Sequence, residues 1–367
     1  MSGPAMNGFV PDARKIAVLR ANAVGDYLFC VPALESIKAA YPHAELVLLG
    51  DEWHERELSG RPGPVDRVIA VPPLPGLREP HPFLDRMRAE SFDIVLQMHG
   101  GGRHSNPVVK ALGACLTAGL RTPDAVGLDR ELPYIFFQPE IFRYLEVAEL
   151  IGAAPVTYRP RFAVTPDDLR LAEEVAGARY ERLRVALHPG ATDPRRRWPP
   201  ERFAAVADAL PEADILITGS TAEAGLAEQV ERAAQRPVRS LAGAFTLGGL
   251  AGLYSTCDLV IANDTGPLHL AAAVGTATVG IYWIGNMLNC APADRGRHRQ
   301  LISWTLNCPQ CGQPCLVDLY PRRFAGEPCP HRVCFVSDVP LEEVLEAATE
   351  CLSGGVAMRR FPARAAG

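Results

Sequence analysis

Residues Asn263 to Val274 read Asn-Asp-Thr-Gly-Pro-Leu-His-Leu-Ala-Ala-Ala-Val and follow an apolar run, Leu259 to Ala262. A strand, a tight turn and a helix start in that order form an anion site. Asp264 or Thr265 is placed to cap the helix, Gly266 lets a ligand approach the backbone, and Pro267 suits the first helical position because its missing N–H would have no partner there. The free N–H groups then point outward with the positive end of the helix dipole, where a nucleotide diphosphate would bind. Gly275 is expected to close the helix in the left-handed conformation. The alternative is an ordinary, well-capped strand-to-helix connection.

Two more loops converge on that turn. His188-Pro-Gly-Ala follows a strand-like run, with Arg196 shortly beyond it in the Arg195 to Arg197 triplet before Trp198, and Gly219 to Glu223 follows the next strand. His188, Gly190, Arg196, Gly219, Glu223, Asp264, Thr265, Gly266 and His269 are therefore the donor-side candidates. The guanidinium and N–H groups suit a diphosphate, and Glu223 can accept from ribose hydroxyls. Each has a plainer alternative: a solvated arginine run, a first-turn acid complementing a dipole, a packed core histidine. In the first half, Arg20-Ala-Asn-Ala-Val-Gly-Asp puts Asp26 in the loop at a strand's carboxyl end, as a reacting carboxylate or as a helix N-cap. The glycine spacing there is not GxGxxG, which argues against a nicotinamide dinucleotide and a dehydrogenase.

Five of the 10 cysteines fall in one short stretch, Cys308, Cys311, Cys315, Cys329 and Cys334. In a chain without a secretion-type leader, closely paired cysteines suggest metal thiolates more than disulfides. A structural zinc or iron would close this loop; reduced thiols and disulfides are the other readings. Cys30, Cys115 and Cys257 read as small buried hydrophobes.

Parallel sheets covered by helices would position these loops. Lys15 to Leu19, Glu45 to Leu49, Val65 to Val71 and Asp93 to Met98 read as strands, with Tyr27 to Ala40 a helix. The pattern lapses between Tyr158 and Pro166 and resumes with an acidic helix, Pro166 to Gly177. Strands then follow at Arg184 to Leu187, Asp214 to Thr218, Asp258 to Ala262 and Thr278 to Tyr282, interleaved with helices at Pro200 to Leu210, Thr221 to Ala234 and Leu247 to Tyr254. Right-handed crossovers make a doubly wound sheet the economical topology for each half, with the chemistry expected in a cleft at the strands' carboxyl ends. The expected domains are residues 1–160, 161–345 and a C-terminal helix or tail, 346–367.

At 367 residues, 48% hydrophobic and 22% charged, the chain is globular. A net charge of -5 gives no reason to expect a nucleic-acid partner. No apolar run approaches the roughly 20 residues needed to span a bilayer. Met1 to Arg14 has no signal-peptide core, so a cytoplasmic protein, peripheral at most to the inner membrane face, is expected.

Leu19-Arg-Ala-Asn-Ala-Val-Gly-Asp with Pro32 downstream, Pro189-Gly-Ala, Arg197-Trp-Pro, Glu201-Arg-Phe and Asn263-Asp-Thr-Gly-Pro-Leu-His-Leu-Ala-Ala-Ala resemble the heptosyltransferase family of glycosyltransferases. The resemblance runs from about Lys15 to about residue 350. It implies a GT-B fold of two Rossmann-like domains, the first binding an acceptor and the second an ADP-activated heptose, with a C-terminal helix that usually crosses back. It implies an inverting transfer in which Asp26 is the general base, Arg196 holds the diphosphate, Glu223 contacts the nucleoside and Asp264 to Gly266 form the phosphate-side loop, with no cofactor for the transfer itself. The acceptor would be a glycan, lipopolysaccharide, other lipid-linked sugar or protein. Many members carry a related cysteine stretch, and some relatives bind iron there. Epimerisation of a sugar nucleotide and a non-catalytic carbohydrate- or protein-binding scaffold are the competing functions, and a homo-oligomer is an expected assembly. The chain departs from the family at Gly275-Thr-Ala-Thr and Tyr282-Trp-Ile-Gly-Asn, beside the donor loop. It also departs at Met98-His-Gly-Gly-Gly-Arg-His-Ser-Asn, which makes His99, Arg103, Ser105 and Asn106 acceptor candidates beside Asn22, or else a glycine-rich helix-capping loop.

Overall fold

Continuous apolar runs become central strands because helices cover both faces of a parallel sheet. Ile16 to Leu19 and Leu259 to Ala262 are accordingly buried to the last residue. The computed structural model describes residues 8–179, 181–292, 294, 296–316, 329–331 and 333–359. The chain divides into two units, Met1–Ala163 and Val164–Gly367.

In the first unit β1 (Lys15–Leu19), β2 (Glu45–Gly50), β3 (Arg67–Ala70), β4 (Ile94–Gln97), β5 (Leu116–Arg121) and β6 (Arg130–Pro133) form a sheet in the order β3-β2-β1-β4-β5-β6. Every pairing is parallel, and Ile16 lies beside Leu46 on one side and Ile94 on the other. In the second unit β7 (Leu183–His188), β8 (Ala213–Ile217), β9 (Arg239–Ser240), β10 (Leu259–Asn263), β11 (Ala277–Trp283) and β12 (His298–Ser303) form another, in the order β12-β11-β10-β7-β8-β9. Its pairings are also parallel, with Leu259 between Val185 and Ala277.

Both units therefore share one strand order. The chain winds outward in one direction for three strands, then returns to the centre and winds the other way. Loops part where the direction reverses, between β1 and β4 and between β7 and β10, and leave a crevice at the strands' carboxyl ends.

Local chemistry sets the helix boundaries. Thr165 and Asp168 form a reciprocal capping box at the start of the helix Pro166–Ala176, and Gly177 ends it at φ 79°. The helix Val24–Ala40 starts earlier than the apolar pattern indicates, at Val24. The edge strands β6 and β12 lack a continuous apolar run and are only partly buried, which hid them from the apolar pattern. The last helix, Leu341–Arg359, starts before residue 346. Its Val344, Ala347, Ala348 and Cys351 pack into the second unit's own core beside Trp283 and Phe203.

Candidate active site

In the first unit's crevice Arg20, which immediately follows β1, is buried to 1% exposure. Its guanidinium donates to the Met98 carbonyl of the loop after β4 (2.9 Å), to the Asp26 carbonyl (3.1 Å), and from Nη2 to both Asp26 Oδ1 and Glu140 Oε2 (2.8 Å each). It stacks on the Tyr144 ring at 4.6 Å, and Tyr144 Oη donates to the same Glu140 oxygen. Arg143 Nη1 donates to the other oxygen, so Glu140 is consumed within the network. The Asp26 side chain is 35% exposed, against 15% for Glu140 and 1% for Arg20. Asp26 is thus the member of this set that can reach a substrate.

Asp26 is not the N-cap. Ala23 holds that position, and Asp26, in the first turn, accepts the Ala23 amide and the Asn22 side chain. Burial raises its carboxyl above the ordinary aspartate value; Arg20 pulls against that shift and Glu140 adds to it. The result is a stronger base than a solvated aspartate.

The acceptor candidates separate into two groups. Ser105 is 1% exposed, donates to the His99 carbonyl and accepts from Gln97 Nε2; Asn106 is fully buried and donates to the Leu120 and Val126 carbonyls. Both hold the glycine-rich loop together and are withdrawn as acceptor contacts. Arg103 is exposed, and His99 and Asn22 are partly exposed. His99 Nδ1 accepts the Ala21 amide, which joins it to the β1 loop carrying Asp26.

In the second unit's crevice Asn263, at the end of β10, donates to the Pro189 carbonyl and accepts the Trp198 amide, and so ties the loop after β7 to the turn. Asp264 caps no helix. Its carboxylate, 3% exposed, meets His269 Nε2 through Oδ1 at 3.1 Å and Asn286 Nδ2 through Oδ2 at 3.1 Å. Arg196 Nη1 lies 3.6 Å from the same Oδ2. Burial would raise the Asp264 carboxyl, but His269, Arg196 and Asn286 outweigh it and hold it below its ordinary value. Thr265 is the N-cap residue with no side-chain cap, so the amides at the start of the helix Gly266–Ala273 stay available at partly exposed Thr265 and Gly266. Gly275, at φ 88°, follows the helix end.

Glu223 serves its own turn. Oε2 accepts the Ser220 amide and hydroxyl at 2.8 Å each and lies 4.0 Å from His188 Nε2. A Cβ at Gly190 would stand 2.0 Å from Glu223 Oε1, so only glycine permits that approach. Gly219 abuts the same side chain, with a Cβ there 3.3 Å from Glu223 Cβ. His188 Nδ1 pairs with Thr218 Oγ1 at 3.2 Å. Of the departures from the family pattern, Thr276 and Thr278 are buried and bond to the Tyr254 carbonyl and His298, whereas Asn286 reaches the Asp264 carboxylate directly.

The cysteine stretch gathers only part of the expected set. The ligand atoms of Cys308, Cys311, Cys329 and His331 all lie within 4.8 Å of one another. Cys311 Sγ is 3.3 Å from Cys329 Sγ, and His331 Nδ1 is 3.3 Å from Cys329 Sγ and 3.7 Å from Cys308 Sγ. Cys315, buried as Cys308 is, lies outside that group, and Cys334 donates to the Arg197 carbonyl, so both leave the proposed ligand set and His331 enters it. The Cys-Pro-His tripeptide at 329–331 carried that signal. Among the described residues no two cysteines form a disulfide.

Solved structures show the same two-unit architecture. A glycosyl transferase family 9 protein from Veillonella parvula superimposes with a TM-score of 0.76 at 20% identity, covering 95% of this chain and 99% of that one. The ADP-heptose lipopolysaccharide heptosyltransferase II of Escherichia coli gives 0.72 at 20% identity, covering 92% and 98%. The fold is α/β of the GT-B class, two doubly wound units. The model of glycosyltransferase family 9 (heptosyltransferase) matches residues 81–318, and the chain belongs to that family. It is a glycosyltransferase. It is 23% identical over 301 residues to a lipopolysaccharide core heptosyltransferase of Haemophilus influenzae, covering 77% of this chain and 83% of the relative. It is 28% identical over 296 residues to lipooligosaccharide heptosyltransferase 2 of the same organism, covering 73% and 82%.

The buried histidines give the fold a pH dependence. Burial lowers His188 and His99 to about 4, the latter with Arg20 adding to the shift, and lowers His54 to about 3. Between those values and the ordinary 6.5 the unfolded chain binds more protons than the folded one, so stability falls as pH drops through that window. Asp26, shifted upward, acts in the opposite sense. The thermal midpoint at pH 5 is expected at least about 2 °C below that at pH 7 at constant ionic strength. Equal or higher stability at pH 5 would contradict the buried neutral state of these histidines.

Proposed function

We propose that the chain transfers a heptose from ADP-heptose to an acceptor hydroxyl, with inversion at the anomeric carbon. The names of its relatives support the sugar, and the E. coli structure's name supports the activated donor. The reading rests on one structural observation: accessible reactive groups stand at the strand ends of each unit, the Asp26 carboxylate in the first and the Arg196, Thr265 and Gly266 set in the second.

As the acceptor oxygen bonds to the anomeric carbon, its proton passes to Asp26 and the bond to the diphosphate oxygen breaks. An aspartate raised by burial is a better proton acceptor at neutral pH than a free one, and it works chiefly as the hydroxyl becomes acidic in the transition state. Arg20 holds the carboxylate in place as a positioning residue. The leaving diphosphate gains negative charge, which the Arg196 guanidinium and the amides of Thr265 and Gly266 stabilise. Asp264, too buried to take the donor itself, fixes Arg196. His99, Arg103 and Asn22 are proposed to contact a glycan, lipid-linked or protein acceptor. Among the described residues no helix is long and apolar enough to cross a membrane.

We also propose that Cys308, Cys311, Cys329 and His331 hold a structural zinc. Tetrahedral zinc with sulfur at about 2.3 Å sets ligand atoms about 3.8 Å apart. Three of the six pairs, at 3.3 to 3.7 Å, need small outward shifts, and all six lie within 4.8 Å. Three thiolates and an imidazole favour zinc, and the ion would fold this segment without entering the transfer chemistry.

Three results test these roles. Asp26→Asn is expected to keep ADP affinity while lowering turnover with a heptose acceptor about tenfold or more; full turnover would remove Asp26 as the base. Arg196→Ala is expected to weaken ADP binding about tenfold by calorimetry, the value of a charge-assisted hydrogen bond; unchanged affinity would contradict its contact with the diphosphate. Elemental analysis of purified protein is expected to find one zinc per chain, lost in Cys329→Ser. Absence of both zinc and iron would reject the metal.

A further inference from the structure

Beyond its thiols, the cysteine stretch lies directly on the turn that carries Arg196. Phe335 donates its amide to the Arg195 carbonyl at 2.6 Å, and its ring lies 4.7 Å beneath the Arg195 guanidinium. Cys334 Sγ donates to the Arg197 carbonyl at 3.0 Å. Further along, Trp198 Nε1 donates to the Val339 carbonyl (3.0 Å) and Arg202 Nη1 to the Ser337 carbonyl (2.8 Å). The two residues flanking Arg196 thus each have their backbone carbonyl bonded by a residue of the cysteine stretch.

The other face of that contact is equally fixed. The Phe335 ring stacks on Trp283 at 4.6 Å, Ser303 Oγ donates to the Phe335 carbonyl, and Trp283 Nε1 donates to the Thr305 carbonyl at 2.7 Å. Arg195 and Phe335 also line, with Cys308, Cys329 and His331, one cavity of about 10 Å³. The thiol and imidazole cluster and the Arg195 to Arg197 turn therefore share a wall. A segment pinned at Cys329 and His331 cannot shift without carrying Cys334 and Phe335, and with them the backbone that aims Arg196.

We infer that metal occupancy of the Cys308, Cys311, Cys329 and His331 cluster is thermodynamically linked to nucleoside diphosphate binding at Arg196, through Cys334 and Phe335 resting on the Arg195 to Arg197 turn. The inference rests on the metal and donor readings above and adds the coupling between them. Binding of either partner orders the same segment, so each raises the affinity for the other by the same factor. Phe335 and Cys334 are positioning residues for this coupling, since neither is a ligand of the metal or of the donor.

The test is calorimetry of ADP with full-length protein loaded with zinc and with the same protein after chelation, metal content being measured in both. ADP is expected to bind the loaded form about fivefold or more tightly, the lower range of ordinary site-to-site coupling. The reciprocal measurement, zinc affinity by competition with a chromophoric chelator with and without ADP, is expected to show the same factor and holds even where the chelated protein loses structure. Phe335→Leu, which keeps an apolar side chain but removes the ring under Arg195, is expected to retain one zinc per chain and to lose most of the difference between loaded and chelated forms. Equal ADP affinity in the two wild-type forms, or a zinc affinity indifferent to ADP, would overturn the linkage alone. A wild-type protein that takes up no zinc would overturn the metal reading and the linkage with it, and a zinc-loaded protein that binds no ADP would overturn the donor reading and the linkage.

Discussion

A charge buried at the end of a strand must be neutralised by groups from the loops around it, and that constraint shapes both crevices. An unpaired guanidinium or carboxylate in such a place would cost several kcal/mol. Arg20, 1% exposed, meets it by drawing together the loop after β1, the Met98 carbonyl and Glu140. Asp264, 3% exposed, meets it with His269, Asn286 and Arg196. In each case the buried charge locks the direction of a more exposed partner of opposite sign, Asp26 in one unit and Arg196 in the other. A carboxylate and a guanidinium held in this way have little reorganisation left to do when charge develops during transfer.

Apart from β5, whose run Thr117 and Gly119 interrupt, the central strands were legible because a strand covered on both faces is a continuous apolar run, as at 15–19, 259–262 and 278–282. Edge strands were not, since β6 and β12 carry Arg, Glu, Gln and His on a half-solvated surface that looks like loop. Turn chemistry was legible in the same way: Pro166 marked the start of one helix, and Gly275, at φ 88°, the close of another, Gly266–Ala273. Partners distant in sequence were not. Glu140 stands 120 residues from Arg20, and no local pattern joins them.

Polar residues in a glycine-rich loop were harder to read, because serine and asparagine bond to a loop's own carbonyls as readily as to a ligand. Ser105 and Asn106 took the first course and are buried. Glu223, whose oxygen is taken by Ser220, is a similar case: an acid in the first turn is as much a capping group as a sugar contact. The cysteine stretch misled by number. Counting thiols favoured Cys315 and Cys334, whereas the fold leaves both outside the group, Cys334 on the Arg197 carbonyl, and brings His331 to the remaining three. The departure Tyr282-Trp-Ile-Gly-Asn proved informative through Asn286, which enters the network that fixes Arg196.

The central claim is that the diphosphate is gripped at the second unit's crevice by Arg196 and the first amides of the helix Gly266–Ala273. A crystal structure of the protein with ADP tests it most directly. The account predicts the β-phosphate within hydrogen-bonding distance of the Arg196 guanidinium and of the Thr265 or Gly266 amide. Phosphates directed away from that turn, with Arg196 still engaged only by Asp264, would contradict it.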